Sequence, residues 1–449
     1  MRIVHLTPGT GNFHCGSCLR DNVLIKALRK RGHDAMMVPL YLPLVTDDEP
    51  ASPGLKVQVG GISLYLQQKL PWFRRAPKWL HRCLDSPRVL KAAVKRMKMT
   101  NARDLGEMTL ASLQGLDGPQ GPEWRSLLEW LEQQQPKPDV VSLSNGLLSG
   151  LARPLKERLG VPVLVSLQGE DSFLDTLPEP FKEQAWQAFR DCLPHVDALV
   201  GTSGYYSRWM ERRLKLNEGD IDVVWNGMDF SAYQPAPEPP PEPVIGYLAR
   251  MCMGKGLKTL VDTFILLDRR GTVPGVRLAI AGAKTAADEA FVRGLKRQLA
   301  EAGCGDRVRW LPNVSLREKI DFLRGLRVLS VPATYGEAFG LYVLEAQACG
   351  VPVVQPRHGG FPEVLEQTGG GVLVEPDDIA ALADGLEPLL QDPERARELG
   401  QQGRAGVMRT FTGEAMAERF DAVLAKAIAR SQGDGPAGED AARAMAQAG

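Results

Sequence analysis

Short, continuously apolar runs alternate with stretches of helical periodicity along most of the chain. RIVHL (2–6) leads into SCLRDNVLIKALRKRG (17–32) and then DAMMVPLY (34–41), which predicts a strand, a helix and a second parallel strand. DVVSLS (139–144), GVPVLVSLQ (160–168), HVDALVGTS (195–203) and IDVVWNG (221–227) repeat the pattern. These runs are too uniformly apolar for a sheet with one wet face, so helices must cover both faces. The segment QPAPEPPPEPV (234–244) can continue neither a helix nor a central strand, because proline has no amide donor, and it reads as a linker. Six more runs follow: VIGYLA (244–249), VRLAIAGA (276–283), VRWLP (308–312), VLSVPA (328–333), VPVVQP (351–356) and GVLVEP (371–376). The expected fold class is α/β, with two Rossmann-like domains facing across a cleft where ligands bind beyond the strand carboxyl ends. Their expected bounds are 1–235, with an insertion at about 65–105, and 236–412. A C-terminal helix over 413–430 could cross back to the first domain, and the small, polar tail 431–449 is expected to be disordered.

Composition narrows the class more than the ligand. At 449 residues, 44% hydrophobic and 24% charged, the chain is an ordinary soluble one of about two or three domains. Lys plus Arg, 54, equals Asp plus Glu, 54, so no global field favours nucleic acid and none is expected as a partner. Locally the balance fails: residues 69–103 hold eleven Lys and Arg against one acid, Asp85, with Trp72, Phe73 and Trp79 among them. That composition suits an anionic membrane surface, and it equally suits an amphipathic insertion with a solvated basic face. Seven scattered cysteines, an odd number, make no disulfide framework and fit a reducing cytosol. The opening run meets Pro8 too soon for a signal peptide, and no run approaches the roughly 18 apolar residues of a membrane span. The chain is therefore expected to be cytoplasmic, or peripheral at the inner membrane surface. Its 6 histidines are dispersed, so no zinc spacing occurs.

The most informative stretch is VLSVPATYGEAFGLYVLEAQACGVPVVQP (328–356), read as strand, glycine-bearing loop, helix, Gly350 as terminator, and strand. Just after Ala338, the unpaired amides of Phe339, Gly340 and Leu341 at the helix start form an anion site suited to a phosphate. Glu337 and Glu345 flank it at E-x7-E spacing. Carboxylates beside an anion are unfavourable unless they accept hydrogen bonds from neutral hydroxyls, and the diols of sugars and riboses present such donors. A nucleotide-sugar satisfies the anion site and both carboxylates.

GEAFGLYVLE (336–345) closely resembles the G-E-x-F-G-x-x-x-x-E core of the retaining GT-B glycosyltransferases of family 4. The resemblance implies transfer of a sugar from a nucleoside-diphosphate sugar to an acceptor, whether saccharide, lipid or small molecule, with retention of anomeric configuration. The nucleotide-sugar is then a substrate, and no metal or other cofactor is required. IGYLARMCMGKG (245–256) is similar to the family segment that places an arginine and a lysine, here Arg250 and Lys255, on the donor diphosphate. A guanidinium fork and a mobile ammonium suit such a leaving group. WNGMDFSAYQP (225–235) and GFPEVLEQTGGGVLVEP (360–376) also resemble family segments. VRWLPNVS (308–315) resembles the strand whose backbone, here at Leu311, meets the nucleobase.

In the first half, TPGTGNFHCGSC (7–18) fails as a dinucleotide fingerprint, because His14 stands where a glycine is needed, and it is no Walker loop. The resemblance gives Gly16 a backbone contact with the donor phosphate. CGSC (15–18) also reads as a C-x-x-C redox motif, although a dithiol leaves the distant carboxylate pair unexplained. VLVSLQGEDSF (163–173) has Gln168 where the family commonly has an active-site histidine. An amide can donate and accept hydrogen bonds but cannot carry a catalytic proton, and the resemblance implies that the leaving diphosphate takes the acceptor proton. Glu170 and Asp171 either contact the acceptor or cap a helix. Asp220-Ile-Asp222 matches D-x-D but reads as a turn rather than a metal site. The resemblance thus implies catalytic roles for Glu337, Arg250, Lys255 and Gln168, with Gly16, Leu311, Ala338–Leu341 and Glu345 on the donor. The alternatives are an epimerase or phosphorylase of the same fold, or a catalytically weak donor-binding sensor.

Overall fold

The six apolar runs of the first half form one parallel sheet in a computed structural model that describes residues 1–9, 16–42, 50–52 and 102–431. The strands are β1 (Arg2–Thr7), β2 (Asp34–Pro39), β3 (Val140–Leu143), β4 (Val163–Leu167), β5 (Ala198–Gly201) and β6 (Ile221–Val223), ordered β2-β1-β3-β4-β5-β6. Every residue of β3 and β4 is buried, as expected for a sheet covered on both faces. The second half forms another all-parallel sheet from β7 (Val244–Leu248), β8 (Arg277–Gly282), β9 (Val308–Pro312), β10 (Val328–Leu329), β11 (Val353–Pro356) and β12 (Gly371–Val374), ordered β12-β11-β10-β7-β8-β9. All twelve predicted strands occur. The run VLSVPA yields the shortest strand, two residues. The Val331 amide turns to the Gln355 side chain at 3.2 Å, and Pro332 has no hydrogen to continue the ladder.

The chain divides into two compact units, each built on one sheet. The first comprises Met1–Thr202, Tyr206–Trp225 and the chain from Met416 onward, and the second Ser203–Tyr205 with Asn226–Ala415. From Met416 the last helix, Gly413–Ser431, belongs to the first unit, where Phe420, Leu424 and Ala427 are buried among Ile25, Leu28 and Val200. In each sheet the strand order reverses once. The reversal lies between β1 and β3 in the first unit and between β7 and β10 in the second. Loops leaving such a pair diverge to opposite faces and open a crevice at the carboxyl ends of the strands.

Candidate functional site

In the second unit, the loops after β7 and β10 carry six of the sequence-selected residues: Arg250, Lys255, Glu337, Ala338, Phe339 and Gly340. The turn after β7 is stitched to the loop after β10 by the Thr334 amide, which donates to the Gly254 carbonyl at 3.0 Å. Gly256 makes the approach closer still. It adopts φ +71°, and a Cβ there would lie 1.7 Å from the Pro332 carbonyl oxygen. Gly256→Ala is therefore expected to destabilise this unit by about 2–4 kcal/mol, through left-handed strain and a backbone clash. A thermal midpoint equal to that of the unsubstituted protein would show that the two loops do not depend on this contact.

The stitched loops bring Lys255 against Glu337. The ammonium donates to Glu337 Oε2, which also accepts from Tyr342 Oη at 3.1 Å. Lys255 Nζ lies 5.0 Å from the Tyr335 ring centroid. Burial works against the Lys255 charge, but Glu337 and Tyr335 outweigh it and raise its pKa above the ordinary lysine value. Arg250 forks onto Asp288, with Nε at 3.3 Å and Nη2 at 3.0 Å, while half of its side chain, 51%, stays exposed. Burial pushes the Asp288 carboxyl up, but Thr285 and Arg250 hold it below the usual range. The guanidinium is thus oriented through one edge and keeps its other edge for an anion.

Gly340, at φ 88°, precedes the helix Leu341–Ala348, and a Cβ there would meet the Phe361 ring at 2.9 Å. Phe339 is buried edge-on against Phe411, with ring centroids 5.7 Å apart. The chain is thereby anchored on both sides of the helix start, whose first amides have no intrahelical acceptor. Glu345 lies inside this helix and is 7% exposed. Its Oε1 accepts from Tyr233 Oη at 2.8 Å and pairs with Lys319 Nζ at 2.6 Å. Gly350, at φ 74°, follows the helix as expected of its terminator. Leu311 lies half-buried on the edge strand β9.

In the first unit, Gly16 is exposed and opens the helix Gly16–Lys30. Cys18 is buried in the core, whereas His14 and Cys15 lie outside the described residues. Gln168 follows β4 and donates through Nε2 to the Ser144 carbonyl at 2.6 Å and to Asp21 Oδ1 at 3.3 Å. Glu170 is 6% exposed and accepts from the amides of Gly146, Gln168 and Gly169 at 2.9, 2.8 and 3.1 Å, and from Tyr206 Oη at 3.1 Å. Burial pushes its carboxyl up against those donors. Asp171 accepts from Tyr206 Oη at 3.0 Å and Trp209 Nε1 at 2.9 Å. Both acids thus organise their own loop. The turn reading of Asp220-Ile-Asp222 holds for Asp220, which accepts from the Asn217 amide at 2.8 Å. Asp222 instead lies in β6 and takes Lys426 Nζ at 2.8 and 3.0 Å. Of the basic segment, 69–101 lies outside the described residues, and Arg103 pairs with Glu107 at 3.2 Å.

Residues 22–227 match the profile of the glycosyl transferase 4-like domain, and residues 232–406 match that of the glycosyl transferases group 1. The two halves of the chain thus each match a glycosyltransferase family model. D-inositol 3-phosphate glycosyltransferase of Nocardia farcinica is 28% identical over 259 residues, 55% of this chain and 57% of that protein. The chain spans about half the length of the curated relatives it matches. Among solved structures, sucrose-phosphate synthase of Thermosynechococcus elongatus has a TM-score of 0.67 at 20% identity, over 96% of this chain and 99% of that one. HepE of Anabaena, in complex with UDP-glucose, has a TM-score of 0.64 at 16% identity, over 95% and 99%. Both likenesses establish the GT-B fold.

Four partners escaped the sequence reading: Tyr233 and Lys319 on Glu345, Tyr342 on Glu337, and Asp288 on Arg250. Thr285 and Asp288 form a capping box visible as T-x-x-D, and Ser315 with Glu318 forms another, but a cap pattern announces a helix start and names no partner. Only packing puts Lys319 beside Glu345.

Proposed function

We propose that this chain transfers a glycosyl group from a nucleoside-diphosphate sugar to a hydroxyl of an acceptor, with retention of configuration. The observation that carries the reading is the pair of half-satisfied carboxylates beside one helix start. Lys255 and Tyr342 converge on Glu337 Oε2, and Tyr233 and Lys319 converge on Glu345 Oε1. Among the described residues the second oxygen of each carboxylate has no donor and can take a hydroxyl, while the helix amides, Arg250 and Lys255 suit the diphosphate. In this reading Glu345 takes the ribose and Glu337 the sugar. Ala338–Leu341 and Gly16 offer backbone to the phosphates, and Leu311 offers it to the base. As the bond to the anomeric carbon breaks, its electron pair passes to the diphosphate oxygen, where charge develops opposite Arg250 and Lys255. The same oxygen then receives the acceptor's proton. Gln168 orients a substrate hydroxyl and carries no proton. No step calls on a metal, so turnover should survive chelator.

A thermal-shift panel of nucleoside diphosphates and their sugars tests donor binding, since a ligand at 100 times its dissociation constant adds about 2.7 kcal/mol. Uridine is the first base to try, because HepE of Anabaena was solved with UDP and UDP-glucose, and an inositol phosphate is the first acceptor, because the Nocardia relative carries that name. Proton NMR of the product reads its anomeric configuration. A donor bound tightly yet never transferred would leave a sensor in place of an enzyme.

The basic segment supports a peripheral contact with an anionic surface in a cytoplasmic setting. Among the described residues, no helix is long and apolar enough to cross a membrane. Vesicle co-sedimentation should rise with anionic lipid and fall with salt, since each surface base contributes about 1 kcal/mol and is screened within roughly 8–10 Å. Binding indifferent to lipid charge would return 69–103 to a solvated insertion.

A further inference from the structure

The first unit buries a polar cluster at the carboxyl ends of β1, β3 and β4 that a packed α/β core does not need. His5, Arg20, Asp21, Ser142 and Ser166 are each 1% exposed or less. Burying such groups is unfavourable unless they pair. Asp21 is the hub. Its Oδ1 accepts from Arg20 Nη1 at 3.0 Å and from Gln168 Nε2 at 3.3 Å. Its Oδ2 lies 3.3 Å from His5 Nε2, and His5 Nδ1 meets Ser142 Oγ at 3.1 Å. Burial works against the Asp21 charge, but His5 and Arg20 outweigh it and hold the carboxyl below its ordinary value.

Gln168 inherits its orientation from this hub. Its Nε2 also donates to the Ser144 carbonyl at 2.6 Å, so both amide hydrogens have acceptors. A flipped amide would set Oε1 against a carbonyl and a carboxylate, so the network determines which end is which. The backbone amide of Gln168 is taken by Glu170 at 2.8 Å. Among the described residues, Oε1 has no partner. From its sequence alone Gln168 can donate or accept, but in the fold it can only accept.

We propose that Asp21 is a positioning residue that holds the Gln168 amide so that Oε1 is presented as a hydrogen-bond acceptor to a substrate hydroxyl. The group taken at this position is then a neutral hydroxyl, because a phosphate, carboxylate or carbonyl oxygen would find no free donor on Gln168. The inference rests on the glycosyl-transfer reading, and it assigns the work of the missing histidine to a pair of residues, one of them on the helix after β1.

The test is a double-mutant cycle of Asp21→Asn and Gln168→Ala, read as turnover of nucleotide-sugar with acceptor. Each single variant should lose about tenfold, the scale of one charge-assisted hydrogen bond, with nucleoside diphosphate affinity unchanged. In the Gln168→Ala background, Asp21→Asn should cost no more than about twofold, because the amide it positions is gone. Equal losses in both backgrounds, or no loss in either, would overturn the proposal. Since Asp21→Asn disturbs a buried charge cluster and can impair folding, a second measurement uses the unsubstituted full chain. With glutamine 15N-labelled and the Gln168 side-chain signal assigned by its loss in Gln168→Ala, both amide hydrogens should exchange slowly with solvent. Rapid exchange would mean that the amide is not held, and would sink the positioning role even if glycosyl transfer is observed. Slow exchange in a chain that consumes no donor would uphold the held amide and defeat the transfer reading instead.

Discussion

In Lys255→Met, turnover with nucleotide-sugar should fall by about a hundred- to a thousandfold, the scale of removing one preorganised donor from a site where charge develops. Methionine keeps most of the stem that packs near Tyr335 while deleting the ammonium. The affinity for a nucleoside monophosphate should hardly change, because in the proposed reaction the charge that Lys255 meets grows on the departing diphosphate. The structure adds a second consequence. Lys255 is also the cation on Glu337, so among the described residues its loss leaves Glu337 Oε2 with Tyr342 Oη alone and no paired charge. The effects of Lys255→Met and Glu337→Gln should therefore combine to much less than their sum, as for residues acting as one unit. Strictly additive losses would show two independent groups, and a monophosphate affinity that drops in step with turnover would place Lys255 on the nucleotide instead of the leaving group.

Glu345→Gln should weaken nucleoside diphosphate binding by about ten- to a hundredfold in titration calorimetry, with a similar loss for the donor, since the proposed ribose contact is made equally in ground and transition states. Glutamine preserves shape and still offers one oxygen to Tyr233 or Lys319. The contrast with Glu345→Ala is informative, because alanine would deprive Tyr233 and Lys319 of this acceptor and should also lower stability by about 1–3 kcal/mol. Diphosphate affinity unchanged in Glu345→Gln would remove the ribose from this carboxylate and leave Glu345 as the anchor of a buried polar triad.

Much of the fold was legible because strand signals in a doubly covered parallel sheet are nearly context-free. A run such as VVSL must be buried on both faces wherever it occurs, and the proline-rich break can join no ladder. The placement of the proposed donor-side residues was legible for a similarly local reason. Glu337, the helix start at Leu341 and Glu345 lie within nine residues of one another, and helix geometry alone sets their relation. Gln168 was visible only as a substitution at a matching position, and its role as acceptor or donor was not.

By itself, the sequence determined two parallel α/β units, the loop-to-helix junction that can hold an anion, and the residue types able to meet a diphosphate and its sugar. The tertiary structure decided how those side chains are spent. It turned Arg250 onto Asp288, joined Lys255 to Glu337, set Lys319 and Tyr233 on one oxygen of Glu345, and bound Gln168 to Asp21 across 147 positions of chain. It also showed Glu170 and Asp171 to be committed to the loop and helix beside them. The physical reason is that local pattern fixes which backbone groups a segment can satisfy on its own, whereas a side chain's partner depends on which strand ends the topology brings together. Here those are β1, β3 and β4 in one unit and β7 and β10 in the other.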